Sequence, residues 1–329
     1  VIDHPDGTEV YPNERLMPGP PWPEFALFAS SDLRPVVSAV EVNRGHDVTD
    51  RLRERDRAYV DGFKLLPFKG YAEMHTLELD LGDLPARRRV VLLLDGWIDY
   101  ADSTANIAAS QAEAALVPPR LHAADGKGGW NEVDGRMGFP AGLPKTMAVD
   151  LTGALVPGDA RVRISTSMRI YWDRARVMVG GEDTAVRVQR LGARDAELRF
   201  GGFPAETSPD GKPPFDYDPD RVSPTSPWKA HAGAYTGFGS VATLLAEIDD
   251  RFVTTMRGDE IELRFDAPPP AGEGWTRTYL QSGRGQPMSW DRIGAGQLGA
   301  GANMALRRRA VDDTGLFTRI DARREDVDL

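Results

Sequence analysis

The sequence predicts an all-β protein with two β-sandwich regions, long Pro/Gly-rich loops and few short helices. Three observations carry that expectation. Short apolar runs alternate with polar residues at a period of two, the signature of half-buried strands. The 34 glycines and 25 prolines cluster between those runs, where turns belong. Helical spacing of apolar residues is confined to two stretches, 48–60 and 240–249.

The strand expectations follow the chain in order: 36–42, 75–81, 89–94, 147–151, 161–171, 174–179, 185–190, 196–200, 251–256, 260–265 and 275–280. In HTLELDL, Leu77, Leu79 and Leu81 face one way and Thr76, Glu78 and Asp80 the other. In RVRISTSMRIYW the same period buries Val162 and Ile164. RVVLLLDGW is continuously apolar instead, as a central strand covered on both faces would be. In the helical stretch at 240–249, Ser240 is a plausible N-cap, and Val241, Leu244, Leu245 and Ile248 share a face.

At 329 residues the chain is long enough for about two domains. We read 1–34 as an N-terminal strand and linker, 35–180 as the first sandwich and 181–329 as a second β-rich region. Within the last, 201–235 holds seven prolines interleaved with Phe203, Phe215, Tyr217, Trp228 and Tyr235. A proline there every few residues forbids regular pairing. The aromatic rings argue for a segment pinned to a surface, and Phe215, Tyr217 and Trp228 are its candidate partner-binding residues.

Composition excludes several functions. The net charge of −10, with Arg87-Arg88-Arg89 and Arg307-Arg308-Arg309 as mere short runs, argues against a nucleic-acid partner. With no cysteine, disulfides, thiolate metal sites and Cys nucleophiles are absent. No apolar run approaches the ~20 residues of a membrane-spanning helix. The chain begins at Val1 without Met or leader, so either a leader was removed or the chain starts partway into a precursor. The five histidines are scattered outside zinc-binding spacing, and no nucleophile elbow, phosphate loop or dinucleotide fingerprint occurs. The reading is therefore non-enzymatic, although a two-carboxylate glycosidase would leave no local motif.

Two constellations remain. Asp95, Asp99 and Asp102 in LLLDGWIDYADS could supply oxygen ligands to Ca²⁺. Alternatively, Asp95 ends a strand while Asp102 and Ser103 cap TANIAASQA. Trp97, Tyr100, Trp130, Tyr171 and Trp172 could form a sugar-stacking platform, or they could be core and loop anchors.

The opening VIDHPDGTEVYPN resembles the last strand and exit of an FG-GAP-type propeller blade. The blocks GWIDYADSTANIAASQ, GFPAGLPKTMAVDL and RVRISTSMRIYWDRARV resemble an accessory region of large exported bacterial FG-GAP proteins, similar to the cartilage-acidic-protein (ASPIC/UnbV) group. The propeller's calcium pattern, D-x-[DN]-x-[DN]-G, is absent, so its metal sites do not carry over. The resemblance implies an exported, periplasmic or cell-surface protein that forms complexes. The order of elements in this block is also similar to a galactose-binding-like jelly roll, with Trp97, Asp99, Tyr100 and Asp102 in a rim loop, an Asp125-Gly126 hairpin carrying Trp130, and a terminal strand with Tyr171-Trp172-Asp173. Taken together, these features predict a binding or accessory module with a protein partner. Carbohydrate binding is the alternative.

Overall fold

The computed structural model describes residues 1–19, 24–85, 87–133, 137–226, 233–247, 249, 251–266, 268–269 and 271–278, and the backbone course of 303–308 and 320–325. It is built mainly of strands, as expected, and its described residues divide between two compact units. The first runs over His4–Val186; the second joins Val1–Asp3 to Arg187–Arg284 and Ala300–Val327. The division therefore falls at Val186/Arg187, and most of 1–34 clusters with the first unit and forms no separate linker.

Strand β1 (Ile2–Pro5) pairs within the second unit. The first unit contains β2 (Glu9–Pro12), β3 (Leu27–Ser30), β4 (Leu33–Pro35), β5 (Ser38–Glu41), β6 (His46–Asp47), β7 (Tyr71–Asp80) and β8 (Val90–Ile98). Helix α1 (Ser103–Gln111) follows, then β9 (Arg120–Ala124), β10 (Trp130–Glu132), β11 (Lys145–Asp150), β12 (Arg161–Met168) and β13 (Ile170–Val179). One sheet has the order β11-β8-β13-β4 and the other β10-β9-β12-β7-β5-β6. With β4 and β7–β13 numbered one to eight, the sheets read 1-8-3-6 and 2-7-4-5, which is jelly-roll order; β5 and β6 extend the second sheet.

Alternation explains what fills the space between the sheets. Leu77 and Leu79 of β7, Val162 and Ile164 of β12, and Leu92 and Leu94 of β8 belong to one buried cluster. The opposite face of β8 is also sealed. Val91 and Leu93 pack with Phe28, Ala148 and Met178 in a second cluster roofed by the β2–β3 hairpin. All nine residues of β8 are accordingly buried. Gly96 permits one further close approach, because a Cβ there would meet the Trp172 indole at 2.6 Å.

Two expectations change around Trp172. Residues 48–60 do not form a helix beyond a single 3-10 turn at Thr49–Leu52. A bulge in β13 between Trp172 and Arg174 turns the Asp173 carboxylate toward that segment, where Oδ1 accepts the backbone N–H groups of Asp56 (3.2 Å) and Arg57 (2.8 Å). Arg57 is left-handed (φ 71°), and Val60 bridges Trp172, so tertiary pairing overrides the local helical period. The run RVRISTSMRIYW is likewise two strands. It breaks at Arg169, where the chain crosses from one sheet to the other.

The second unit contains β14 (Arg187–Val188), β15 (Asp195–Phe200), β16 (Phe203–Thr207), β17 (Asp216–Ser223), β18 (Gly239–Ser240), α2 (Ala242–Leu245), β19 (Asp259–Arg264), β20 (Trp275–Thr278), β21 (Asn303–Arg308) and β22 (Ile320–Glu325). A three-stranded sheet has the order β14-β1-β20 and a five-stranded one β18-β15-β19-β22-β21. Arg277 forks onto both carboxylate oxygens of Asp3 at 2.6 and 2.8 Å. Ala196, Leu198, Val241 and Ile261 form a small core. The helix expected at 240–249 is only the short α2, with Leu245 43% exposed, and 251–256 is irregular where a strand was expected. The Gly-rich stretch 282–304 lies outside the described residues apart from the backbone start of β21.

Burial raises the Asp173 carboxyl above its usual value of 3.8, against the two backbone N–H groups that favour its charge. The native carboxyl thus holds its proton more tightly than the unfolded one. Its stabilising contribution is complete below pH 3.8 and is lost as pH rises through the native value. Asp173→Asn keeps the accepting oxygen and removes the charge. The variant should be at least as stable as the parent at pH 7, and its advantage should shrink as pH falls below 4. Urea midpoints at pH 7 and 3.5 check this; a loss of more than about 1 kcal/mol at pH 7 would mean that the charge itself holds the 53–58 loop.

Candidate functional site

One end of the sandwich gathers aromatic side chains from three parts of the chain. Trp97 follows Val91, Leu93 and Asp95 along one face of β8, and the β8–β13 register sets it opposite Tyr171. The two rings stack nearly flat, with centroids 4.5 Å apart at 10°. Tyr59, fixed by the neighbouring Val60–Trp172 bridge, meets both edge-on at 5.9 and 6.2 Å. Phe63 meets Tyr171 at 5.1 Å and stacks on His75 at 4.6 Å. Trp97 is 9% exposed, and its indole Nε1 is buried without a partner among the described residues. Tyr59, Phe63 and Tyr171 are half-buried. Burial, then the nearby Asp99, raises the Tyr171 phenol pKa; burial holds the His75 imidazole below its usual value.

The five aromatics expected to make one platform fall in four places. Trp97 and Tyr171 come together. Trp172 points the opposite way, as period-two alternation requires, and is 3% exposed in the inter-sheet core. Trp130 lies on the other sheet, with the Arg163 guanidinium 4.0 Å from its ring centroid and that of Arg161 at 5.6 Å. Tyr100 packs against the core with the Lys69 ammonium 4.6 Å from its ring centroid. Tyr59 and Phe63, absent from the sequence expectation, complete the cluster. Their signal was the spacing Tyr-Val-Asp-Gly-Phe, which places both rings around a residue that pairs with β13.

The three aspartates are engaged separately. Asp95 sits in the middle of β8, not at its end, and is 1% exposed. It accepts from Thr146 Oγ1, and from Arg174 Nε at 2.8 Å. Asp99 pairs with Arg169 at 3.1 Å. Asp102 caps α1, its Oδ1 accepting the Ala105 N–H at 2.7 Å, which is the capping alternative read from the sequence. Among the described residues no group of three or more His, Asp or Glu side chains is placed to hold a metal ion.

Sequence reasoning missed Arg169, which occupies the corner between β12 and β13. Its guanidinium donates to the carbonyls of Leu66, Phe68 and Tyr71 as well as to Asp99, while its own N–H reaches Gly70. Only 13% of this side chain is exposed, so one cation fixes the loops that frame the aromatic cluster.

In the second unit, the segment read as too proline-rich to pair is a β-hairpin. β16 and β17 form a two-stranded sheet in which Pro204 lies opposite Val222, next to a register shift. Among the described residues neither strand is the middle one of a sheet, so a missing N–H on the outer side costs no recorded ladder bond. Phe215 precedes β17 and Tyr217 lies on it, both half-buried; Trp228 lies outside the described residues.

No family model, curated protein or solved structure matches this chain. Among the described residues, no helix is long and apolar enough to cross a membrane.

Because Asp95 already satisfies Arg174 and Thr146, Asp95→Ala should cost about 3 kcal/mol, the low end for breaking a buried pair, since Arg174 keeps some contact with water. Adding calcium or EDTA to the parent protein should leave its melting midpoint in place. A calcium-dependent rise abolished by Asp95→Ala would restore the metal reading.

Proposed function

We propose that the chain is a non-enzymatic binding and accessory module that docks onto a basic protein surface through the β16–β17 hairpin. The observation carrying this reading is the half-exposure of Phe215 and Tyr217 on a hairpin with a one-sided charge. Over 203–223, five carboxylates (Glu206, Asp210, Asp216, Asp218 and Asp220) stand against Lys212 and Arg221. Asp216 and Asp220 are exposed beside the rings. At the hairpin's base, Phe200 and Phe203 meet edge-on at 6.0 Å, with Phe200 47% exposed. Aromatic anchors within a charged rim are the usual anatomy of a protein interface. An exported, periplasmic or cell-surface setting belongs to the same proposal and rests on the resemblance to FG-GAP accessory regions. Carbohydrate recognition is the second reading, favoured by the half-exposed Tyr59, Phe63 and Tyr171 around Trp97.

The double variant Phe215→Ala/Tyr217→Ala separates docking from folding. Docking predicts an unchanged melting midpoint and loss of the native partner in cross-linking and co-purification. Affinity should fall by about 2 kcal/mol or more, roughly thirtyfold, and partner retention by the parent should weaken with added salt. Unchanged melting with unchanged co-purification would remove the hairpin from the interface. A lowered midpoint with the partner retained would make the rings structural.

A further inference from the structure

The aromatic cluster at the end of the first unit's sandwich forms a three-sided corner. Tyr171 is its central ring, backed by Trp97, which stacks on it at 4.5 Å and is 9% exposed. Tyr59 and Phe63 meet Tyr171 at 6.2 and 5.1 Å, with ring planes turned 73° and 61° from it. Two further walls thus stand steeply against one ring, and all three residues are half-buried. The walls are fixed in place. The Tyr59 carbonyl accepts from Arg51 Nη1, and the next N–H, that of Val60, donates to the Trp172 carbonyl at 2.9 Å. Phe63 follows Gly62, whose N–H donates to Glu41 Oε1 at 2.7 Å and whose carbonyl accepts from Arg44 Nη1 at 3.0 Å. A Cβ at Gly62 would meet Glu41 Oε2 at 2.0 Å, so a larger residue there would push the carboxylate away. Phe63 also stacks on His75 at 4.6 Å. Burial holds that imidazole below its usual value, so at neutral pH it brings no charge to the corner.

The carboxylates around the corner are already engaged. Asp61 pairs with Arg51 at 2.6 Å and Asp99 with Arg169 at 3.1 Å. After burial, Asp99 and more weakly Asp61 hold the proton on the Tyr171 phenol, against the opposing pull of Arg169. Among the described residues no Lys or Arg lies over the Phe63 or Tyr171 ring, whereas Lys69 covers Tyr100 and Arg163 covers Trp130. Converging ring faces attract a cation, because each carries negative charge on its π-face. A primary ammonium needs acceptors in exchange for its water, and the nearby carboxylates are committed to arginines. A quaternary ammonium has no N–H and asks only for ring faces. A pyranose, the ligand of the carbohydrate reading, needs one broad open face, yet Trp97 and Tyr171 turn flat faces to each other.

We propose that this corner binds a quaternary ammonium group, its methylated nitrogen seated against the Tyr59, Phe63 and Tyr171 rings. The site lies in the first unit and does not depend on the docking hairpin, so either assignment can fail alone.

Calorimetric titration of the whole chain with choline, its uncharged tert-butyl isostere dimethylbutanol, ethanolamine and methyl glucoside tests the proposal. Choline should bind at millimolar concentration, and dimethylbutanol at least about tenfold more weakly, because it has the shape without the charge. Ethanolamine should also bind at least about tenfold more weakly, since its ammonium gives up water without gaining an acceptor. Phe63→Leu keeps apolar bulk and removes one ring face; choline affinity should fall about fivefold or more in the folded variant. Phe63→Tyr should retain it. Should Phe63→Leu not fold, Tyr59→Leu carries the same expectation. No choline binding at millimolar concentration, equal binding of choline and dimethylbutanol, ethanolamine binding as tight as choline, or full choline binding by the folded leucine variant would each overturn the assignment. Methyl glucoside binding more tightly than choline would also overturn it and give the corner to the carbohydrate reading.

Discussion

The first unit depends on burying β8 from both sides. Leu92 and Leu94 fill the jelly-roll interior, while Val91 and Leu93 need the β2–β3 hairpin over them. A strand sealed twice cannot slip, because a one-residue shift would exchange its two faces and lose both sets of contacts at once. Its register with β11 and β13 is therefore fixed, and that register carries the unit's polar and aromatic features. Asp95 arrives between Thr146 and Arg174, Gly96 clears space for Trp172, and Trp97 meets Tyr171.

Charge completes what apolar burial begins. Asp95–Arg174 and Asp99–Arg169 each withdraw an arginine from water onto a carboxylate, and Arg169 also collects three loop carbonyls. Beneath the hairpin, Arg176 reaches Glu9 and Tyr11; burial, aided by Glu9, pushes the Tyr11 phenol up to about 12. The Tyr11 hydroxyl thus remains protonated across the physiological range and acts as a fixed donor to Glu9. These pairs convert the position of a strand into the position of loops, which is how the core reaches the rim.

Much of this order was legible in the residues. HTLELDL and RVVLLLDGW show their buried faces directly, because strand alternation is local. The Asp125-Gly126 hairpin was equally plain: Asp125 accepts the N–H groups of Lys127 and Gly129, and Gly126 adopts φ 71°. What could not be read depends on partners distant in sequence. The corner at Arg169 leaves the alternation of 161–172 nearly uninterrupted, so only its contacts with 66–71 and Asp99 reveal it. The aromatic cluster is a product of register, which separates Trp172 from its neighbour Tyr171 and recruits Tyr59 and Phe63 from a loop. The proline-rich 203–223 segment misled for a different reason. Proline excludes a strand from the middle of a sheet but not from a two-stranded hairpin, and composition does not count the strands.

The two units thus divide by build: one is a sandwich around a doubly sealed strand, and the other carries a thin hairpin with half-exposed rings. Native-state hydrogen exchange followed by peptide mass spectrometry tests this division directly. The amides of Val90–Ile98 should exchange slowest in the molecule, through global unfolding of their unit, while those of 203–223 should exchange through local opening at a much lower free energy. Exchange of Val90–Ile98 as fast as that of the hairpin would contradict the account.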